Sequence, residues 1–272
     1  MKPIQRNEDG RATIAGVDID IIEQGSGAPI LFLHPGTGLL QADAFIGELS
    51  KIGRVIAPVL PGFGASDLPR SFARTDDLAQ YVLALLKDLD LFDVTIVGSS
   101  FGGWVAAETA IRSTERISHL VLIGPLGIKA GEPETREIAD VWGLTRPKLL
   151  QLQFSDPAKG EVAFHDMEQA QLEGVVRSQE AEALYGWEPY MQNPVLRRWL
   201  HAIDVPTLIV RGAADKFVVA ENTRAFVEAI SGSVFCEIAN AGHFPHIEQP
   251  SATGELISGF VARQAEKIAQ TA

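Results

Sequence analysis

The sequence contains a single cysteine and no long apolar run. Cys236 is the only cysteine among 272 residues, so no disulfide bond can form within the chain. It lies in residues 233–238, whose apolar pattern predicts a buried strand and a small core thiol. No apolar run approaches the roughly 18 residues that a membrane-spanning helix needs, and residues 1–9 lack the apolar segment of a secretion signal. We therefore expect a cytoplasmic protein with no membrane partner.

Basic residues are scarce relative to acidic ones. The chain has 23 Lys and Arg against 35 Asp and Glu, which gives a formal net charge of −12. This surplus argues against nucleic acid or an anionic membrane surface as a partner. The sequence has no cluster of His, Cys and carboxylate residues at metal-ligand spacing, and no glycine loop for phosphate groups. We expect a small-molecule substrate, no cofactor and no metal, and a homodimer is compatible with these features.

What the chain does have is an alternation of short apolar runs with helical patterns. The runs predict strands that are buried on both faces of a parallel sheet. They lie at residues 30–33, 55–57, 94–97 and 120–123, and the helical patterns lie at residues 42–52, 78–89 and 104–112. Residues 12–22 alternate apolar and polar side chains, which predicts an antiparallel hairpin at a sheet edge. The alternation predicts an α/β fold with a mostly parallel, doubly wound sheet.

This rhythm stops at Gly124-Pro125 and resumes at residues 206–210. The stretch between them is helical, charged and dotted with aromatic residues, and it contains no run typical of a buried strand. A helical insertion between two parallel strands is best interpreted as a cap over the carboxyl edge of the sheet. We therefore divide the chain into a core of residues 1–124 and 201–272 and a helical cap of residues 125–200.

The most specific motif is Gly98-Ser99-Ser100-Phe101-Gly102. A strand pattern precedes it and an Ala-rich helical pattern follows it, which is the context of a sharp strand-to-helix turn that exposes a serine hydroxyl. The glycines before and after Ser100 leave room for the close approach of neighbouring backbone. Ser100 is therefore our candidate nucleophile.

A serine nucleophile needs a base, and the base needs an orienting acid. Asp215 follows the strand pattern of residues 206–210, and His243 follows the strand pattern of residues 234–238. Both positions lie at the carboxyl ends of parallel strands, where Ser100 is also expected. We predict that Ser100, His243 and Asp215 form a catalytic triad.

These motifs resemble those of the α/β-hydrolase fold family, in its capped serine-hydrolase branch of esterases, perhydrolases and carbon–carbon bond hydrolases. The resemblance covers nearly the whole chain. Besides the serine turn it includes residues 31–36 (LFLHPG), 61–67 (PGFGASD) and 212–215 (GAAD), and Gly242-His243 with Glu248 and Pro250. It implies a mostly parallel, eight-stranded sheet flanked by helices, with the cap inserted after the sixth strand.

The resemblance also implies an oxyanion hole of two backbone N–H groups. One belongs to Phe101, directly after the nucleophile. The other comes from the loop that begins at His34, where the family usually has His-Gly and this chain has His34-Pro35. Pro35 has no N–H group, so Gly36 is our first choice for the second donor and Thr37 is the alternative.

For function, we expect a serine hydrolase that cleaves a small carboxylic ester through an acyl-enzyme. The alternatives are hydrolysis of a carbon–carbon bond in aromatic meta-cleavage products, lactone hydrolysis and, in a different class, a non-catalytic ligand receptor. Carbon–carbon bond hydrolases of this fold tend to carry Asn before the nucleophile and Trp after the catalytic His, whereas this chain has Ser99 and Phe244. Trp142, Trp187 and Phe244 are the candidate substrate contacts, because pockets for small molecules are lined mainly by apolar side chains.

Overall fold

The computed structural model describes residues 2–132 and 134–271, with the side chains of residues 265 and 267–271 excepted. This part of the chain contains nine strands, nine α-helices and three short 3-10 helices. The strands are β1 (Ala12–Ile14), β2 (Val17–Ile19), β3 (Ile21–Gln24), β4 (Pro29–Leu33), β5 (Arg54–Pro58), β6 (Val94–Ser99), β7 (Ile117–Ile123), β8 (Thr207–Gly212) and β9 (Val234–Ile238). The helices are α1 (Asp43–Leu49), α2 (Thr75–Asp88), α3 (Phe101–Ala110), α4 (Arg146–Gln153), α5 (Gln169–Gly186), α6 (Leu196–Trp199), α7 (Ala220–Ala229), α8 (Pro245–Glu248) and α9 (Pro250–Thr271).

The central sheet has the strand order β3-β5-β4-β6-β7-β8-β9. Only the β3–β5 pair is antiparallel, and every other neighbouring pair is parallel. After β4 the chain first adds β5 on one side and then β6 on the other, so the direction of winding reverses beside β4. In open α/β sheets such a reversal leaves a crevice at the carboxyl ends of the strands, where ligands bind. The prediction of a mostly parallel α/β sheet is confirmed.

Side chains that alternate along each strand supply two separate cores. In β4, Leu31 and Leu33 pack with α2 and α3 on one face, whereas Ile30 and Phe32 pack with α1 and α9 on the other. Successive side chains of a strand point to opposite faces, so a strand buried on both sides must be apolar throughout. This requirement explains the continuous apolar runs in the sequence.

The number of strands in the sheet differs from the expected eight. Seven strands of the described chain form the sheet, because β1 and β2 pair only with each other. Their connection, Ala15-Gly16, has positive φ at both residues, which is typical of a tight hairpin turn. The chain joins the sheet only at β3. The helical insertion follows β7, as expected, but β7 is the fifth strand of the sheet in chain order and not the sixth.

The prediction of a buried strand around Cys236 is wrong. β9 lies at the edge of the sheet. Phe235 is 42% exposed and Cys236 is partly exposed. An edge strand has a neighbour on one side only, so an apolar sequence does not ensure its burial.

Between Ile123 and Thr207 the described residues contribute no strand to the sheet and include α4, α5 and α6. Hydrogen bonds hold helix α5 against the core. The Tyr185 hydroxyl donates to the Pro61 carbonyl oxygen at 3.0 Å, and the Gly64 N–H donates to the Ser178 hydroxyl at 3.1 Å. Cap boundaries at residues 125 and 200 stay a prediction. In the described residues, no helix combines the length and the apolar character needed to cross a bilayer.

Candidate active site

Ser100 occupies the turn between β6 and α3, in a backbone conformation that few residues adopt. Its φ and ψ are 52° and −114°. The turn is fixed from outside, because the Ser100 N–H donates to the Ile123 carbonyl oxygen at 2.8 Å. Strained backbone of this kind persists only where the surrounding structure holds it. It directs the hydroxyl of Ser100 into a cavity between the sheet edge and the helical insertion.

The two flanking glycines are required by packing. A Cβ on Gly98 would overlap the Gly102 carbonyl oxygen, and a Cβ on Gly102 would overlap the Leu33 carbonyl oxygen. These neighbours are backbone atoms, which cannot rotate away as a side chain can. The steric reason given for the glycines in the sequence therefore holds in the structure.

Ser100, His243 and Asp215 form one hydrogen-bonded chain. His243 Nε2 lies 2.8 Å from Ser100 Oγ, and His243 Nδ1 lies 3.0 Å from Asp215 Oδ2. All three side chains are buried. The other carboxylate oxygen of Asp215 accepts the N–H groups of Phe217 and Val218 at 2.8 and 3.0 Å. Backbone donors thus fix the carboxylate, which in turn orients the imidazole.

Two loops bring Asp215 and His243 together, and charged residues hold these loops. Arg211 Nη2 donates to the Asp215 carbonyl oxygen at 2.7 Å. Glu248 accepts the N–H of Gly242, next to His243, and also the N–H groups of Ser155 and Asp156 from the helical insertion. A single buried carboxylate therefore links the histidine loop to the cap.

The expected oxyanion donors border the nucleophile. The N–H groups of Phe101, Gly36 and Thr37 have no hydrogen-bond acceptor within the described residues, and Gly36, Thr37 and Ser100 line the same cavity. Gly36 and Thr37 thus both stay available as the second donor.

His34 supports this loop from behind. Its Nε2 accepts the Leu60 N–H at 2.9 Å, and its Nδ1 lies 2.7 Å from the Pro35 carbonyl oxygen. Complete burial lowers the pKa of His34 to about 4, so the ring is neutral at physiological pH. A neutral ring that accepts at Nε2 carries its proton at Nδ1 and can donate it to the Pro35 carbonyl oxygen.

The cavity above Ser100 has a volume of about 600 Å³, which is ample for a small organic molecule. Trp142 and Phe244 line it, and their contact with a substrate stays a prediction. Trp187 does not line the cavity. It is 60% exposed and packs on Trp142 with ring centroids 5.1 Å apart. The prediction of Trp187 as a substrate contact is wrong, because Trp187 lies at the end of α5 and faces solvent behind Trp142.

Two residues of the site were missed in the sequence, and Glu248 was named there without a role. Arg211 and Glu248 hold the loops described above, and Glu182 on α5 places its carboxyl against Gly36. A charged residue at the end of an apolar strand, as at Arg211, indicates in the sequence a side chain that can hold the loop after the strand. Glu182 gives no comparable signal, because it is one of several acidic residues on its helix. No group of three or more His, Cys, Asp and Glu side chains in the described chain could hold a metal ion.

Known proteins are similar to this chain in sequence and in fold. The model of the alpha/beta hydrolase family matches residues 30–256. The chain belongs to this family. A curated relative, the 2-hydroxymuconate semialdehyde hydrolase of Pseudomonas sp. strain CF600, is 26% identical over 96% of both chains.

Solved structures of the family are also similar. A variant of the meta-cleavage product hydrolase CumD has a TM-score of 0.76 at 25% identity, over 93% of this chain and 97% of its own. An N-acyl homoserine lactone degrading enzyme has a TM-score of 0.70 at 25% identity, over 95% of this chain and all of its own. The hydrolase class and the α/β-hydrolase fold predicted from the sequence are therefore confirmed.

Proposed function

We propose that this hydrolase uses Ser100 as a nucleophile on a carbonyl carbon. His243 Nε2 takes the proton of Ser100 Oγ as Oγ bonds to the carbonyl carbon. Asp215 stabilises the imidazolium that forms, and the N–H groups of Phe101 and Gly36 donate to the developing oxyanion. The observation that carries this mechanism is the buried chain of contacts at 2.8 and 3.0 Å from Ser100 to Asp215.

The second half of the reaction uses the same groups in reverse. His243 gives its proton to the leaving oxygen, and the carbonyl–oxygen bond breaks to leave an acyl group on Ser100. Water then transfers a proton to His243 and attacks the acyl carbon. Oγ departs and regains its proton from His243, which releases a carboxylic acid.

An uncharged ester or lactone is the substrate class that the site geometry supports best. Arg146 is the one cation that lines the cavity among the described residues, and its guanidinium is engaged with the Gly160 carbonyl oxygen and the Phe164 ring. Beside the expected oxyanion donor lies the carboxyl of Glu182. A substrate without negative charge fits a cavity that has this carboxyl and no free cation among its described lining residues. The similarity to a lactone-degrading enzyme supports the same class.

Carbon–carbon bond hydrolysis is the second candidate, and the names of relatives support it better than they support ester hydrolysis. The curated relative and the CumD structure both carry names of such hydrolases, whereas the ester assignment has support from the comparisons only at the level of the fold. Ser99 and Phe244 stand against this candidate. The triad would serve either reaction, because both begin with attack at a carbonyl carbon.

Turnover of three substrates separates these candidates. We expect the protein to cleave p-nitrophenyl butyrate and a γ-lactone at least tenfold faster than a 2-hydroxy-6-oxo-dienoate ring-fission product. An organophosphonate probe should label Ser100, as read by mass spectrometry. Preference for the ring-fission product would select the carbon–carbon reaction, and an unlabelled, inactive protein would select the receptor alternative. We also propose a cytoplasmic location and a homodimer.

A further inference from the structure

Glu182 is a carboxyl group in the cavity that the proposed mechanism does not use. It lies on α5, it is partly exposed, and it lines the same cavity as Ser100 and Gly36. Among the described residues it has no hydrogen-bond donor and no ion-pair partner within 4.0 Å. A carboxyl group that is partly removed from water gains free energy when a hydrogen-bond donor replaces the lost water. A carboxyl group that faces a cavity beside a nucleophile, without a protein partner, is therefore open to a donor on a ligand.

The position of this carboxyl is tied to Gly36. A Cβ on Gly36 would overlap Glu182 Oε1 and Cδ, and it would lie 2.8 Å from Oε2. The φ of Gly36 lies outside the left-handed region, so an alanine could adopt the same backbone. The carboxyl of Glu182 occupies the space that a Cβ would take here, so an alanine at this position would displace the carboxyl. The Glu182 carboxyl therefore lies directly beside the expected oxyanion donor.

Two other polar side chains of the cavity, Ser178 and Arg146, are already engaged. Ser178, one turn earlier on α5, accepts from the Gly64 N–H and donates to the Gly174 carbonyl oxygen. Arg146, across the cavity, contacts the Gly160 carbonyl oxygen. Burial also raises the pKa of Glu182 to about 7, which is the expected response of a carboxyl that lacks a partner.

We propose that Glu182 and the Gly36 turn form a subsite for a hydrogen-bond donor next to the reacting carbonyl of the substrate. The preferred substrates are then esters or lactones with an amide N–H or a hydroxyl group on the carbon beside the carbonyl. Above pH 7, where Glu182 is ionised, a carboxylate at that place is disfavoured, because it would meet a second carboxylate. This substrate class rests on the proposed function, because the subsite lies in the cavity in which Ser100 acts.

Three matched p-nitrophenyl esters test this subsite. The ester of N-acetylglycine carries the N–H donor, the ester of N-acetyl-N-methylglycine lacks it, and the monosuccinate carries a carboxylate. The readout is the ratio of kcat/KM values between esters at pH 8, where Glu182 is ionised. It is measured for the wild type, Glu182→Ala, Glu182→Gln and Gly36→Ala. Glu173→Gln is the matched control, because Glu173 lies on the same helix and does not line the cavity.

We expect the wild type to prefer the N–H ester over its N-methyl counterpart by about tenfold, the size of one hydrogen bond to a charged group. Glu182→Ala should reduce this ratio to about one to two. Gly36→Ala should reduce it in the same direction, because its Cβ displaces the carboxyl. Glu182→Gln should raise the rate with the monosuccinate about tenfold relative to the N-methyl ester. Glu173→Gln should leave both ratios as in the wild type.

A wild-type ratio near one, or a ratio that Glu182→Ala leaves unchanged, would overturn the subsite. If the wild type cleaves none of the esters, the proposed function fails instead. The subsite is then judged by binding alone, with calorimetry of the two amide methyl esters on Ser100→Ala and on Ser100→Ala with Glu182→Ala. Tighter binding of the N–H ester by about tenfold, lost in the double variant, supports the subsite, and equal binding overturns it.

Discussion

The two walls of the cavity differ in how their polar groups are satisfied. On the sheet side, Asp215 accepts two backbone N–H groups and contacts His243, which in turn contacts Ser100. On the α5 side, the carboxyl of Glu182 has no hydrogen-bond partner among the described residues and faces open space. On the sheet side the triad has its hydrogen-bond partners before a substrate binds. On the α5 side, in our proposal, the substrate supplies the partner of the carboxyl.

This difference follows from how each wall is built. Ser100, Asp215 and His243 each follow a strand of one parallel sheet, so the register of the sheet fixes their mutual distances. Helix α5 reaches the site only by packing on loops such as Pro61 and Gly64. We call the side formed by the strand ends the sheet wall and the side formed by α5 the cap wall. We assign the chemistry to the sheet wall and the choice of substrate to the cap wall.

The largest expected effect tests the sheet wall. Ser100→Ala should lower kcat for p-nitrophenyl butyrate by about 10⁴-fold, because no other group can take the acyl intermediate. Ser99→Ala is the matched control, since Ser99 is also buried but contacts His246 at 3.3 Å and not His243. It should retain activity within about fivefold. Equal losses in both variants would mean that the serine turn matters only for structure.

Asp215→Asn tests the next link of the same wall. An amide can occupy the space of the carboxylate, but it no longer stabilises an imidazolium and can favour the wrong His243 tautomer. We expect kcat to fall by about 10³- to 10⁴-fold with little change in KM. Circular dichroism should show an unchanged fold. A loss below tenfold would remove Asp215 from the proposed mechanism.

A third variant tests the steric limit at the serine turn. Gly102→Ala should lower the free energy of unfolding by about 3 kcal/mol or more, because its Cβ would overlap the Leu33 carbonyl oxygen. Gly47→Ala is the control, since no heavy atom lies within 4 Å of a Cβ there. In helix α1 that change should stabilise the protein by about 0.5 to 1 kcal/mol. Urea unfolding measures both, and similar stability of the two variants would contradict the packing at Gly102.

The sequence was sufficient for the sheet wall because its signals are local. A glycine two residues before Ser100 and another two after it, between a strand and a helix pattern, determine the turn without knowledge of distant contacts. Asp215 and His243 follow their own strands, and a parallel sheet brings such positions to one edge. The strand count differs because the turn at Ala15-Gly16 folds β2 back on β1 and the two strands pair only with each other, which alternation alone does not reveal.

The cap wall could not be predicted in the same way. Trp142 and Trp187 are both aromatic residues of the insertion, and only the packing of one on the other decides which of them meets the cavity. The contact of Glu182 with Gly36 joins a helix to a distant loop. No spacing within either segment indicates it.

The contrast between the two tryptophans gives a smaller expected effect. Trp142→Ala should lower kcat/KM for an aromatic ester such as phenyl butyrate by about tenfold, mainly through KM, because it removes apolar lining of the cavity. Trp187→Ala should change it by about threefold at most, since Trp187 is exposed. The reverse order would indicate that Trp187 reaches the substrate in solution.

The smallest expected effect is on stability, and it tests the carboxyl of Glu182 on the cap wall. The pKa of Glu182 is raised from 4.5 to about 7 by burial, so the folded chain holds this proton more tightly than the unfolded chain does. Stability from this group is therefore full below about pH 4.5 and declines as the pH rises to about 7, after which it stays constant. The full shift corresponds to about 3 kcal/mol, and water in the cavity reduces it to about 1 to 2 kcal/mol.

Glu182→Gln removes the group that titrates. Relative to wild type, this variant should gain about 1 to 2 kcal/mol of unfolding free energy at pH 8 and almost nothing at pH 4.5. Urea unfolding at both pH values gives the difference, and Glu173→Gln, on the same helix but outside the cavity, should follow the wild type at both. Parallel pH profiles for Glu182→Gln and wild type would mean that the carboxyl finds a donor in solution. The polar groups of both walls would then have hydrogen-bond partners, and the two walls would no longer differ in this respect.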